Sequence, residues 1–122
     1  MAVRRGLVAP EETLFAKIIR KEIPADVVYE DDLALAFRDL APQAPVHVLV
    51  IPKEPIANVG VAEDAHRDLL GHLMLVAGKV AVQEGVADAF RVVTNSGEGA
   101  GQSVFHLHLH VLGGRPFSWP PG

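Results

Sequence analysis

The chain has 122 residues, 49% of them hydrophobic, and a formal net charge of −4 at pH 7. This length favours one domain, residues 1–122, which is long enough to bury roughly two-thirds of its unfolded surface. The lack of cysteine excludes disulfides, thiolate metal ligands and cysteine nucleophiles, and the absence of any run of Lys or Arg argues against binding to a nucleic acid duplex.

The sequence predicts a cytoplasmic protein that does not bind membranes. Residues 1–10 are expected to form a loose arm, in which Arg4 and Arg5 precede an apolar stretch too short for a secretory signal. The most apolar later stretch, LLGHLMLVAGKVAV, contains His72 and Lys79. It falls short of the roughly 18 to 20 apolar residues that a membrane span requires.

The first half of the chain predicts one helix and three strands. ETLFAKIIRKEI has apolar residues at helical spacing, with Thr13 as a possible N-cap and Pro24 as the residue that ends the helix. DVVYED and LALAFRD predict two strands joined by a turn at Asp31 and Asp32. VHVLVIP has apolar residues at both odd and even positions, as expected of a central strand covered on both faces.

The second half predicts a long helix and two more strands. The helix should run from about Ala62 to Glu84 and end at Gly85, and we interpret its two histidines, His66 and His72, as structural. Its buried stripe would consist of Leu69, Leu70, Leu73, Met74, Val76 and Val80. AFRVVTN and VFHLHLHVLG predict strands on either side of the loop SGEGAGQS. The order of elements favours an α+β fold with a mainly antiparallel sheet of about five strands, a short N-terminal helix and one long helix.

The stretch FHLHLHVLGG places histidines at every second position of the last predicted strand. Successive side chains of a strand point to opposite faces, so His106, His108 and His110 would share one face, while Leu107 and Leu109 would face the core. Three interpretations follow: a metal site, an exposed polar face, and a catalytic site.

Two of these interpretations are not catalytic. Two of the histidines, together with His47 from the central strand, could hold a metal ion as neutral imidazoles. His106 and His110 lie too far apart along an extended strand for all three to bind one ion. An exposed polar face would more commonly carry Thr, Lys, Glu or Arg. We therefore predict no metal site.

Catalysis at a phosphorus centre is the interpretation that these residue types favour. Imidazole is largely neutral and nucleophilic at pH 7, and a neighbouring imidazole can be kept protonated by an anionic ligand. Attack on phosphorus gives a phosphoramidate that water hydrolyses in a second step. The loop GAGQS, directly before the histidines, offers backbone N–H groups and the Ser103 hydroxyl to phosphoryl oxygens.

The HLHLHVL motif resembles the histidine triad (HIT) superfamily. From about Thr13 to Gly122 the segments FAKIIRKEIPA, FRDLAPQAPVHVLVIPK, LLGHLM, GQSVFHLHLHVLGGR and WPPG are similar to its HINT branch, the histidine triad nucleotide-binding proteins. The resemblance implies a HIT-like fold and a homodimer. It also implies hydrolysis of the P–N bond of purine nucleoside phosphoramidates, the adenosine type being favoured. This reaction would need no metal or cofactor, would pass through a covalent nucleotidyl-histidine intermediate and would release AMP or GMP.

The resemblance further implies roles for individual residues. His108 would be the nucleophile, His110 would contact the phosphate and His106 would orient the nucleophile. His47 would sit beside the triad, and Ser103 would contact the leaving group or the phosphate. The remaining nucleotide-binding residues would be Asp39 at the ribose hydroxyls, Leu40, Phe15 and Ile18 around the base, Asn95 near the phosphate, and Gly101 and Gln102 in the loop.

Several of these residues also have ordinary structural explanations. Asp39 and Asn95 both suit turns, and Phe15 and Ile18 have the spacing of any core pair on a helix. A histidine such as His47, within an apolar strand, is often a satisfied core residue. Only the shared context of the resemblance moves these residues towards a site.

The tail and three departures from the HINT pattern bear on specificity. Residues 113–122, which end in FSWPPG, would either reach the partner's site, where Trp119 would influence the choice of leaving group, or pack on their own domain. Glu54 and Pro55 stand where relatives commonly carry a basic residue and a histidine, and Ala100 stands where glycine is common. These departures concern substrate preference rather than the triad.

Two other functions stay open at this point. One is a dinucleoside polyphosphate hydrolase of a sister HIT branch, which the WPPG ending disfavours. The other is a nucleotide-binding or zinc-binding interaction protein without turnover.

Overall fold

The computed structural model describes residues 9–122, which form a five-stranded antiparallel sheet with two α-helices. The helices are α1 (Leu14–Ile19) and α2 (Arg67–Gln83), and the strands are β1 (Val27–Glu30), β2 (Ala34–Arg38), β3 (Val46–Pro52), β4 (Phe90–Val93) and β5 (Leu109–Gly113). The strand order is β1-β2-β3-β5-β4, and every neighbouring pair is antiparallel. The predicted α+β class is confirmed. Of the expected N-terminal arm, residues 1–8 lie outside the described residues, and Pro10 begins a 3-10 turn.

The central strand β3 is covered on both faces, as its apolar sequence predicts. Val48 and Val50 belong to the core cluster that packs under α2, whereas Leu49 and Ile51 belong to a second cluster under α1. Burial on both sides removes a large apolar area from water, and this is the main stabilising contribution to the fold.

Helix α1 is shorter than predicted. The Thr13 side chain accepts a hydrogen bond from the backbone N–H of Ala16 (3.1 Å), so the predicted N-cap is confirmed. The helix ends at Ile19, before Pro24, because the backbone of Lys21 adopts the left-handed conformation (φ 65°). Pro24 is therefore not the residue that ends it.

Helix α2 begins later than predicted, at Arg67 instead of Ala62. A 3-10 turn, Asp64–His66, occupies the expected first turn, and another, Val59–Val61, precedes it. Met74 was expected in the buried stripe but is 55% exposed, because it lies on the side of the helix that faces away from the sheet. No helix among residues 9–122 has the length and apolar character needed to cross a membrane.

His66 and His72, which we interpreted as structural, both anchor turns. His66 accepts a hydrogen bond from the Glu63 N–H (2.9 Å) just before α2. His72 on α2 bonds through Nε2 to the carboxylate of Asp31 (2.7 Å), which also accepts the Leu33 N–H in the β1–β2 turn. The two imidazoles thus tie α2 to its surroundings.

The last strand is shorter than predicted. β5 begins at Leu109, so His106 and His108 lie in the irregular segment before the strand rather than in it. β3 pairs with β5 only from Val50↔Leu109 onward. The alternation of faces persists regardless, because Leu107 is fully buried in the α2 cluster and fixes the orientation of the segment.

Candidate active site

The three triad histidines and His47 are brought together on the sheet face opposite α2. The His108 and His110 rings lie 5.0 Å apart, and the His47 and His110 rings 5.1 Å apart. The centre of the His106 ring lies 6.2 Å from that of the Phe15 ring, and the two rings meet edge-on. The predicted shared face is therefore confirmed as a cluster, although two of its members are not strand residues.

His108 has one ring nitrogen committed and the other left for a ligand. Its Nδ1 lies 2.8 Å from the backbone carbonyl of His106, and a carbonyl only accepts. Nδ1 must therefore carry the proton, and Nε2 keeps its lone pair. The Phe15 ring meets the His108 ring edge-on at 5.0 Å and restricts its rotation. A neutral imidazole in this tautomer is a nucleophile.

His110 and His47 form a directed chain of hydrogen bonds. The backbone N–H of Gln43 donates to His47 Nδ1 (3.0 Å), and an amide N–H can only donate. The His47 proton therefore sits on Nε2, which donates to His110 Nδ1 (2.9 Å). His110 must then carry its own proton on Nε2. That proton is a hydrogen-bond donor for an anionic ligand.

His106 serves the site from within the core. It is 1% exposed, and its Nε2 donates to the backbone carbonyl of Pro52 (2.7 Å). Its Nδ1 has no hydrogen-bond partner among the described residues. Since the carbonyl of His106 itself fixes His108, a rigid His106 fixes the tautomer of His108.

Burial keeps the four imidazoles neutral at pH 7. Loss of hydration lowers the pKa values of His47, His106 and His108 below their ordinary range. Burial, together with the neighbouring His108 and His47, lowers the pKa of His110 to about 4, against a smaller opposing effect of Asp39. The free lone pair of His108 and the free N–H of His110 are thus both set by tautomer rather than by net charge.

Asp39 stands at the end of β2 beside this cluster. Its Oδ1 accepts the Ala41 N–H (2.8 Å), and its Oδ2 lies 3.4 Å from His47 Nε2. One oxygen of Asp39 therefore closes the turn, while the carboxylate also lines the cavity in front of the triad.

That cavity, of about 260 Å³, joins the histidines to an apolar pocket. Phe15 and Ile18 of α1 form one wall, as the resemblance implies, and Ile23 and Phe37 extend it. Leu40 also borders the cavity, but its side chain is 97% exposed. Leu40 therefore stands at the mouth and not in the wall that was expected.

The glycine-rich loop is held by Gln102, which is buried. Its amide donates to the carbonyls of Ala57 and Val104 and accepts from Gly97 N–H and the Asn58 side chain. All its hydrogen-bonding capacity is used, so the Gln102 side chain shapes the loop and has none left for a nucleotide.

The other loop residues divide between cavity and support. Ser103 is exposed and borders the cavity, as expected. Asn95 and Gly101 are not among the cavity-lining residues; the Asn95 amide nitrogen lies 3.8 Å from where a Gly101 side chain would begin. Gly101 adopts a left-handed conformation (φ 98°) that favours glycine, whereas Ala100 lies in a right-handed 3-10 turn and is unstrained.

Asp39, His47 and His110 come close enough to suggest a metal site, since one ligand atom from each lies within 4.8 Å of the others. A neutral histidine that binds a metal through Nε2 must carry its proton on Nδ1. At His47 that position faces the Gln43 N–H. A metal on His47 would lose this hydrogen bond or require an imidazolate, so the trio suits hydrogen bonding better than metal binding.

Comparison with known proteins places this arrangement in a family. The HIT domain model matches residues 20–117. An uncharacterized HIT-like protein of Synechococcus elongatus is 62% identical over 112 residues, which cover 92% of this chain and 98% of that relative. A 14 kDa zinc-binding protein of Zea mays is 54% identical over 112 residues, covering 90% and 88%. The chain belongs to the HIT family.

Solved structures agree with this assignment. A HIT family hydrolase from Legionella pneumophila has 50% sequence identity and a TM-score of 0.87, covering 89% of this chain and 98% of that one. A HIT family hydrolase from Clostridium thermocellum has 46% identity and a TM-score of 0.86, covering 88% and 95%. The protein therefore has the fold of HIT family hydrolases.

Sequence reasoning missed the groups that set the tautomers. The carbonyls of Pro52 and His106 and the N–H of Gln43 are backbone atoms. Any residue type would supply the carbonyls, and any except proline would supply the N–H. No pattern of side chains signals them. Arg115, whose Nε donates to the Gln43 carbonyl, was not predicted to contribute either.

Proposed function

We propose that the protein is a HINT-type hydrolase that cleaves the P–N bond of purine nucleoside phosphoramidates. The observation that carries this proposal is the tautomer of His108, whose Nε2 lone pair is held ready at a cavity that also presents the protonated Nε2 of His110. A nucleophile beside a hydrogen-bond donor is what attack on a phosphoryl group requires.

The reaction would proceed in two displacements at phosphorus. In the first, His108 Nε2 forms a bond to phosphorus while the P–N bond to the amine breaks. The leaving amine takes a proton from the Ser103 hydroxyl, which regains one from the water that attacks phosphorus in the second step. In the second, water attacks phosphorus, the bond to His108 breaks and the nucleoside monophosphate leaves. His110 Nε2–H donates to a phosphoryl oxygen throughout.

The rest of the cavity suits a purine ribonucleotide. Phe15, Ile18 and Phe37 offer apolar and aromatic surface for a flat base. Asp39 offers a carboxylate, which can accept hydrogen bonds from both ribose hydroxyls. A nucleoside thus extends from the histidines along the cavity, with phosphorus next to His108.

The test is turnover of an adenosine phosphoramidate by the purified protein and by His108→Ala. We expect the variant to lose turnover, because the proposed nucleophile is gone, and still to bind AMP, because only this side chain is removed. A rapid denaturing quench followed by mass spectrometry should find a nucleotidyl adduct on His108 in the intact protein. His66→Ala, which removes a histidine far along the chain from the triad, is the control. Turnover in His108→Ala would contradict the covalent mechanism.

We also propose that the protein forms a homodimer through α2 and the free edge of β4. Met74 (55% exposed), Leu75 (67%) and Val82 form, with Gly71 and Gly78, an apolar stripe at helical spacing on the side away from the sheet. Exposed stripes of this kind mark interaction surfaces. Leu75→Glu should convert the dimer to a monomer in analytical ultracentrifugation, with Lys17→Glu, a charge change on α1 and outside this stripe, as the control.

A zinc-binding protein is the second candidate. The Asp39, His47 and His110 trio and the zinc-binding name of the Zea mays relative favour it, whereas the Gln43 N–H opposes it. Calorimetric titration with Zn²⁺ separates the two: tight binding that His47→Gln abolishes supports the zinc function, and turnover that a chelator leaves unchanged supports the hydrolase.

A further inference from the structure

The C-terminal tail is attached to the domain by two arginines that share one aromatic ring. The guanidinium carbon of Arg115 lies 4.3 Å from the centre of the Phe117 ring, and that of Arg91 lies 5.1 Å from it. Arg91 also donates to the carbonyl of Ser118 (2.9 Å). Arg91 thus holds the tail from β4, whereas Arg115 is itself a residue of the tail and also donates to the Pro116 carbonyl (3.0 Å).

Only Arg115 makes a contact towards the histidine cluster. Its Nε donates to the backbone carbonyl of Gln43 (2.9 Å). The N–H of that same residue donates to His47 Nδ1 (3.0 Å). One residue therefore lies between the guanidinium of the tail and the imidazole that supports His110.

We propose that Arg115 is a positioning residue for His47: by holding Gln43 in place, it keeps the Gln43 N–H on Nδ1 and the His47 proton on Nε2. The effect of this on turnover rests on the proposed function. The effect on the tautomer rests on the hydrogen bonds alone.

Loss of the Arg115 hydrogen bond would allow the Gln43 peptide to turn away from His47. The hydrogen bonds of an imidazole decide which nitrogen carries its proton, so without the Gln43 N–H part of the His47 population would place the proton on Nδ1, against the preference of the Asp39 carboxylate 3.4 Å from Nε2. Its Nε2 lone pair would face the lone pair of His110 Nδ1 at 2.9 Å. His110 would relieve this repulsion by moving its own proton to Nδ1, and its Nε2 would stop being a donor for the phosphoryl group.

The turn from Asp39 to His47 has other ties, which define what Arg115 adds. Asp39 N–H donates to the His47 carbonyl (3.0 Å), and the Gln43 side chain donates to the Ala41 carbonyl (3.0 Å). These bonds hold the ends of the turn, but neither uses the backbone of Gln43. Among the described side chains, that of Arg115 is the one that bonds to the Gln43 carbonyl.

The experiment compares Arg115→Met with Arg91→Met, in protein labelled with ¹⁵N at histidine. Both variants keep an aliphatic stem and remove one guanidinium from Phe117, but only the first removes the bond to Gln43. Both positions lie outside the buried core, so both variants should fold. The His47 ring nitrogens are assigned by their disappearance in His47→Gln.

We expect the intact protein and Arg91→Met to show His47 with a protonated Nε2 and a bare Nδ1. Arg115→Met should show a mixture of tautomers at His47, together with a kcat lower by about tenfold or more and a nearly unchanged KM for the phosphoramidate.

Three results would overturn the proposal: a protonated Nδ1 at His47 in the intact protein, an unchanged His47 tautomer in Arg115→Met, or equal changes in both arginine variants. The last would show that the tail and not the Gln43 contact matters. A lack of turnover in the intact protein would contradict the proposed function instead, and the nitrogen spectra would still decide the role of Arg115.

Discussion

The low pKa of His110 predicts a loss of stability in mild acid. The unfolded chain holds this proton with an ordinary pKa of 6.5, whereas burial lowers the folded pKa to about 4. Acid therefore favours the unfolded chain: the contribution is complete above pH 6.5 and is lost as the pH falls from 6.5 towards 4. These two values correspond to about 2 kcal/mol lost between pH 7 and pH 5.

The variant His110→Gln isolates this contribution because it removes the titrating group and keeps a polar side chain of similar reach. The carboxylates titrate in both proteins and largely cancel in the difference, whereas His47 and His108 add to the effect, because their charges also lower the pKa of His110. We expect the free energy of unfolding of His110→Gln, relative to that of the intact protein, to rise by about 2 kcal/mol between pH 7 and pH 5.

Urea unfolding followed by far-ultraviolet circular dichroism is the suitable assay. The single tryptophan, Trp119, is 83% exposed and would report poorly on the core. Protein concentration must be held constant, since a dimer would make stability depend on it. His66→Gln controls for the loss of an imidazole in general. A difference between His110→Gln and the intact protein that does not change with pH would refute the reasoning.

Three further predictions test other parts of the structure. Asp39→Asn should weaken binding of AMP more than that of deoxy-AMP in calorimetric titration, because its carboxylate would accept from the ribose hydroxyls; equal losses would argue against the ribose role. Removal of residues 119–122 should change the relative rates for different leaving amines, and an unchanged profile would leave Trp119 as a packing residue. Leu107→Ala should destabilise the fold by about 2 to 5 kcal/mol in urea unfolding, because Leu107 is fully buried under α2; a smaller loss would mean that the segment before β5 repacks.

The parts of the fold that the sequence predicts well are those where burial and pattern agree. Val46–Pro52 was predicted to be a central strand because it has apolar residues at both odd and even positions, and in the sheet it pairs with β2 on one side and β5 on the other. The Thr13 cap was likewise predictable, because its hydrogen bond is local. The failures lie where a non-local contact decides. Met74 fits a helical stripe as well as Leu73 does, and only the position of the sheet distinguishes them.

The candidate site was predictable in its members but not in its chemistry. The alternation of histidines with leucines implied a shared face, and the burial of Leu107 preserves that face even where no strand forms. Which nitrogen of each ring carries the proton depends on the carbonyl of His106 and the N–H of Gln43. These groups approach the rings only in the folded chain, and the residue types at their positions do not reveal them.

The segment from His106 to Val111 contributes side chains to the site on one face and to the core on the other. Substitutions in this segment therefore affect the stability of the fold and the geometry of the site together. A change at Leu107 or Leu109 moves the same backbone that carries His108, so a protein that tolerates repacking elsewhere cannot repack here without altering its reactivity. In a library randomised over this segment, most variants would be removed by loss of folding before activity is ever selected. New specificity should therefore arise at Leu40 and at the tail, whose exposed side chains can change without this cost.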